Sequence, residues 1–211
     1  MTGSAAGPPG AGGRIRRLAR YEARWLVSLV CWVARRRIGV AAGERALAYA
    51  AGQAAMVYGL AFVCLVETVG VGVLLADHPV AHGVMLALDV YTVLMVLGFQ
   101  AAAVTRPHVL GADTLLLRDG ARTALRIPLS AIASVRHELR FTQDDSAQET
   151  VAMAVGGQTS VTVELAEPVV AVRLLGRREA VRTVRFHADD ARGVVAAVRA
   201  ATAEPPAVRQ G

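Results

Sequence analysis

The sequence predicts an α+β membrane protein, a transmembrane helical hairpin followed by a small seven-stranded β-barrel or sandwich with a closing helix. Three observations predict it. The 211 residues are 54% apolar with a mean hydropathy of +0.42, high for a water-soluble chain. Two long apolar runs lie side by side at residues 54–76 and 80–104. Beyond Arg106 the pattern changes from helical to alternating.

In chain order, residues 1–13 are Gly, Pro, Ala and Ser without periodicity and read as a disordered tail. Residues 14–37 follow with Arg clusters on either side of a short apolar stretch, Trp25 to Ala34. As a helix that stretch rises about 15 Å, half the roughly 30 Å of a hydrocarbon core, so it is expected to lie in the interface rather than cross it. Arg35, Arg36 and Arg37 stand where a signal peptide would have its small cleavage-site residues, and no cleavage is expected. Trp25 and Trp32 suit the headgroup boundary, and the Arg clusters suit anionic lipid on the cytoplasmic leaflet.

The hairpin, residues 43–105 with its lead-in, carries one acid in each span: Glu67 in the first and Asp89 in the second. Each span holds 11 Leu, Phe or Val, worth roughly −3 to −7 kcal/mol on the insertion scale against roughly +2.5 to +3.5 for one central acid. Insertion survives the carboxylates. Nine Arg precede the first span, Arg106 follows the second and the turn "DHP" has none, which predicts a plasma (inner) membrane protein with both termini cytoplasmic.

After the hairpin, "TLLLR", "TALRIP", "IASVRHELRF", "VAMAV", "SVTVELA", "VVAVRLLG" and "AVRTVRFHA" are seven candidate strands separated by turn signals. "DDARGVVAAVRAAT" adds a closing helix capped by Asp189 or Asp190, with Val194, Val195 and Val198 on one face. Residues 106–203 form this cytosolic domain, and 204–211 read as a second disordered tail.

"DTLLLRDGARTALRIPLSAIASVR" at the start and "VRTVRFHADDARGVVAAVRAA" at the end resemble the bacterial pleckstrin-homology-like domain, and the whole chain resembles an actinobacterial membrane protein with that domain behind a transmembrane hairpin. The resemblance implies a partly open barrel plugged by a helix, used for protein contacts, oligomerisation or lipid-headgroup docking rather than catalysis. Lipid-binding relatives gather basic residues around the first hairpin, where this chain has Arg118 and Arg122.

Charge narrows the function classes. Residues 1–53 carry a net +7, residues 54–105 a net −3 and residues 106–211 a net +2. The basicity therefore belongs to the amino-terminal arm, and a nucleic-acid surface on the folded domain is not expected. Cys31 and Cys64 make neither a disulfide framework nor a zinc site. "HELRF" at His137 lacks the second His of a zinc-protease helix, and no phosphate loop or nucleophile elbow is present, so no catalytic residue, metal or cofactor is assigned.

Four constellations remain. Glu67 and Asp89 sit at similar depth and, if they face each other, would share a proton: as hydrogen-bonding glue within the hairpin or to a second subunit, or as a proton or ion relay. Ala55, Gly59 and Val63 lead to Glu67 in an i+4 row that would let another helix approach, which favours glue in a homo-oligomer or with a membrane-protein partner. Asp77, His78 and His82 near the outer turn, and His187 with Asp189 and Asp190, are read as turn and cap groups before metal ligands. Arg173, Arg177, Arg178, Arg182 and Arg185 surround one predicted hairpin and could meet anionic lipid or an acidic partner, though Glu179 among them favours a solvated edge. The expectation is a non-enzymatic integral membrane protein whose cytosolic domain mediates protein interaction or self-assembly. The alternatives are an oligomeric ion path and a headgroup-docking module.

Overall fold

A computed structural model describes residues 11–121, 123–141, 149–172 and 178–203. The expected tails at 1–10 and 204–211, together with Arg122, Arg173 and Arg177, lie outside the described residues.

Helix α1, Ala11–Val33, starts inside the expected tail and ends before the Arg triplet. A three-residue strand β1, Arg45–Leu47, precedes helices α2, Ala51–Leu74, and α3, Pro79–Thr105. Both helices are long and apolar enough to cross a membrane, and only 6% of the most apolar stretch of each is buried. Their facing positions follow 3/4 spacing. On α2, Ala54, Val57, Ala61, Cys64, Thr68 and Val71 are buried or half-buried; on α3, His82, Asp89, Thr92, Val96 and Gln100. The contact between Gln53 and Gln100 at one end and the packing of His82 on Gly72 at the other fix the antiparallel register.

Eight strands are seen among the described residues, where seven were expected. Strand β2, His108–Leu110, pairs antiparallel with β1, setting Leu47 opposite His108, so the first sheet begins ahead of the hairpin rather than after it. β3, Thr114–Asp119, and β4, Thr123–Pro128, complete the sheet β1-β2-β3-β4. The second sheet runs β5-β7-β8-β6, built from β5 (Ile132–Phe141), β6 (Thr150–Met153), β7 (Gln158–Val172) and β8 (Arg178–Phe186). The expected strands "SVTVELA" and "VVAVRLLG" are one strand, β7, because the ladder continues past Pro168 through a register shift between Glu164 and Val169. A proline costs a strand little at such a bulge.

β6 joins β8 in parallel, all other pairs are antiparallel, and the sheets do not close into a barrel. Alternate residues of both sheets, including Leu115, Leu117, Ile127, Val161, Val163, Val184 and Phe186, form the core. Helix α4, Ala191–Ala203, seats Val194, Val195 and Val198 on that core, and its Arg199 donates twice to the Val135 carbonyl of β5.

Candidate functional site

The two sheets meet the helices at a collar around the end of the hairpin where α2 begins and α3 ends. α3 does not leave the protein at its last apolar residue: Val96, Gly98 and Gln100 to Ala103 are buried. α1 causes this. Trp25 is 3% exposed and lies over Gly98, edge-on to Tyr91 and Phe99, while Tyr21 packs on Phe99. The contact needs a glycine, because a methyl group at Gly98 would enter the indole ring. The Trp25 ring, which the sequence offered to the headgroup boundary, is thus packed within the protein against the aromatic side chains of α3. The outward face of α1 is instead Leu26, Val27, Val30 and Val33, all exposed. Trp32 is half-buried, and Arg35, Arg36 and Arg37 are exposed.

Below α1, Arg106 donates from Nε to the Ser28 hydroxyl at 3.0 Å, and burial lowers the Arg106 pKa from its ordinary value. Arg118 donates to the carbonyls of Ile38 and Gly39 at 2.8 and 2.7 Å. The guanidinium that the family resemblance would offer to a headgroup is thus spent on the link between α1 and β1.

His108 is the hub of the collar. It is 1% exposed, stacked on Tyr49 at 4.3 Å and edge-on to Phe186. The backbone N–H of Arg118 donates to Nδ1, so Nδ1 is bare and Nε2 carries the proton it donates to the His187 carbonyl at 3.1 Å. Burial, aided by the nearby Arg118 charge, holds the His108 pKa down to about 3 against the accepting His187 carbonyl, which raises it. Tyr49 closes the hub by accepting from Gly120 N–H at 2.9 Å, and burial pushes its phenol well above the usual range.

The two aspartates after β8 have separate tasks. Asp190 caps α4, accepting from Gly193 N–H at 2.9 Å. Asp189 reaches 138 residues back and accepts from Ala51 N–H, the first amide of α2, at 3.1 and 3.3 Å. Its own N–H donates to the Ala48 carbonyl. A carboxylate there meets the positive end of the α2 dipole as well as an orphan amide. Asp189→Ala is expected to weaken this join by about 1–2 kcal/mol and Asp189→Asn by much less. Faster amide exchange at residues 51–53 in the alanine variant alone would show it.

The acids of the two long apolar helices, Glu67 and Asp89, are not brought together. Asp89 lies in the seam, level with Cys64 by the hairpin register, whereas Glu67 is exposed on the outer side of α2, and no hydrogen bond or ion pair joins them. Ala55, Gly59 and Val63 share Glu67's exposure, and nothing stands within 4 Å of a side chain built at Gly59. Among the described residues no three His, Cys, Asp or Glu side chains converge on a metal position, so Asp77, His78 and His82 do not form one. The Arg cluster of β8 is split between faces: Arg182 pairs with Glu149 at 3.3 Å on the surface and Arg185 is buried; nothing is described of the Arg178 side chain.

A cleft of about 820 Å³ opens between the end of α1, β1 and the base of the hairpin, and Trp32, Arg35, Arg36, Arg37, Tyr58 and Val104 are among the residues that line it. Short-range patterns do not reveal this cleft or the His108 hub. The Arg triplet was their single visible trace. No protein-family model, curated protein or solved structure matches the chain, so the geometry carries the functional reading.

Proposed function

We propose that this chain is a non-enzymatic membrane protein that assembles through its hairpin and presents the β domain as an interaction module on the cytoplasmic side. Exposed Phe62, Leu65, Val69 and Leu74 on α2, with Val80, Leu86, Leu88 and Val90 on α3, support membrane crossing. A helix of a water-soluble core would bury such a surface. The Arg asymmetry supports cytoplasmic termini.

One observation carries the assembly reading: Glu67 projects outward near mid-span, on a face kept small by Ala55 and Gly59. A carboxyl facing hydrocarbon is costly, and intramembrane acids almost always face a bundle interior or a partner. The observation favours a second helix on that face, from another copy or a membrane-protein partner. The separation of Glu67 from Asp89 onto different faces counts against a proton or ion relay within one hairpin. Two four-stranded sheets covered by α4 support a pleckstrin-homology-like reading of the domain. The parallel β6–β8 pair departs from a simple meander, and Arg118 is occupied, which favours protein contacts over headgroup docking in the first hairpin.

The test is the oligomeric state of the whole chain in nanodiscs. Wild type and Glu67→Gln are expected to associate and Glu67→Leu to dissociate, since only hydrogen-bonding capacity is required. Monomers throughout would refute the assembly, and flux through wild type that the amide variants abolish would establish the relay instead.

A further inference from the structure

We propose that the cleft at the base of the hairpin holds one anionic phospholipid, its phosphate against Arg35, Arg36 and Arg37 and an acyl chain along Tyr58 and Val104. The inference rests on the reading that α2 and α3 stand in a bilayer. It adds a ligand that neither the assembly face nor the β domain requires.

The cleft has the size of a small-molecule site, about 820 Å³. Six of its eighteen lining residues are alanines, on β1, on the link from β1 to α2, and on α2 and α3, and their short side chains leave space open. Three consecutive exposed arginines line it, and among the described residues none has an ion pair or a side-chain hydrogen bond. Basic pockets beside transmembrane helices on the cytoplasmic side are suited to anionic headgroups. Depth agrees: Tyr58 lies seven residues into α2 from Ala51, about 10 Å along the axis, which carries the cleft from headgroup level to the edge of the hydrocarbon. That apolar continuation distinguishes a lipid from a soluble anion.

The backbone at these arginines adds a second observation. Arg36 N–H donates to the Cys31 carbonyl at 2.7 Å and Arg35 N–H to the Trp32 carbonyl at 3.0 Å, which ends α1 in a Schellman motif. Its left-handed position, φ 54°, is usually glycine and here is Arg35. An L residue in that conformation costs about 1 kcal/mol, and no side-chain hydrogen bond or ion pair of Arg35 among the described residues offsets it. The Asp189 carboxylate also lines the cleft, but it is bound to the Ala51 amide and repels an anion from the α2 end. The phosphate is thereby directed to the three arginines.

Native mass spectrometry of the full-length protein in detergent, offered phosphatidylglycerol or phosphatidylcholine, tests the site. One phosphatidylglycerol per chain is expected to be retained with about tenfold preference, and Arg36→Gln with Arg37→Gln to lose about tenfold or more. Arg35→Gly is the sharper variant: it should weaken retention while leaving thermal stability equal or higher, because glycine relieves the cap. Equal retention of both lipids, retention unchanged in the Arg variants, or displacement of the lipid by millimolar inorganic phosphate would overturn the proposal. Alkaline extraction of native membranes separates the two levels. A chain washed off the membrane refutes the bilayer reading itself, and one that stays but keeps no lipid refutes only the site.

Discussion

Lowering the pH from 7 to 5 is expected to remove about 2 kcal/mol of folding stability through His108 alone. The folded-state pKa is held near 3, against an ordinary value of 6.5. Because it is depressed, the unfolded chain binds the extra proton first, so the contribution is fully present above about pH 6.5 and is lost as the pH falls toward 3. At about 1.4 kcal/mol per pH unit over that window, the whole loss is roughly 4–5 kcal/mol, a large part of a typical domain's stability. His187, whose pKa burial also lowers, acts in the same direction. Glu138, which Arg140 with Thr162 and Arg136 holds down to about 2, loses its contribution only as the pH falls below its ordinary value of 4.5, so it does not imitate the effect above pH 5. Thermal unfolding of the whole chain in micelles at pH 7, 6 and 5 checks it. His108→Gln should be less stable at pH 7 and show a flatter profile. Parallel profiles would mean that His108 is not buried neutral.

Trp25→Ala is expected to cost about 3–5 kcal/mol and to free α1 from α3. Gly98→Val attacks the same contact from the other helix and should cost about 1–3 kcal/mol through overpacking. Combined, the two should cost less than their sum, because both remove one contact. Trp32→Ala is the control: Trp32 is half-buried in the cleft lining and should change stability far less. Equal small effects of both tryptophan variants in thermal unfolding would instead indicate an α1 that rests on the membrane without a fixed seat on α3.

The long apolar runs were legible to within three residues at each end, since more than 20 apolar residues in succession leave few alternatives. Alternation located the longer strands for the same reason. β1 and β2, "RAL" and "HVL", are too short to show a period, and they exist because each supplies the other's ladder across a 60-residue separation. "SVTVELA" and "VVAVRLLG" look like two strands in the sequence because a register shift carries one ladder past Pro168 between them. At the site, sequence spacing identified the Arg triplet and an aspartate cap on α4. It could not reveal that Asp189 serves α2, that Arg118 holds the Ile38 and Gly39 carbonyls, or that Trp25 turns inward, because each partner is distant in the chain.

The pairing of Leu47 with His108 has a practical corollary. Topologically, the apolar hairpin of α2 and α3 is an insertion into an otherwise continuous sheet. Truncation ahead of residue 106 does not excise an anchor; it strips a strand, the Tyr49 ring and the Asp189 tether from the domain that remains. A version without the two apolar helices would be made from the inside, by deleting the hairpin and splicing β1 to β2 with a short turn across two residues that already face one another.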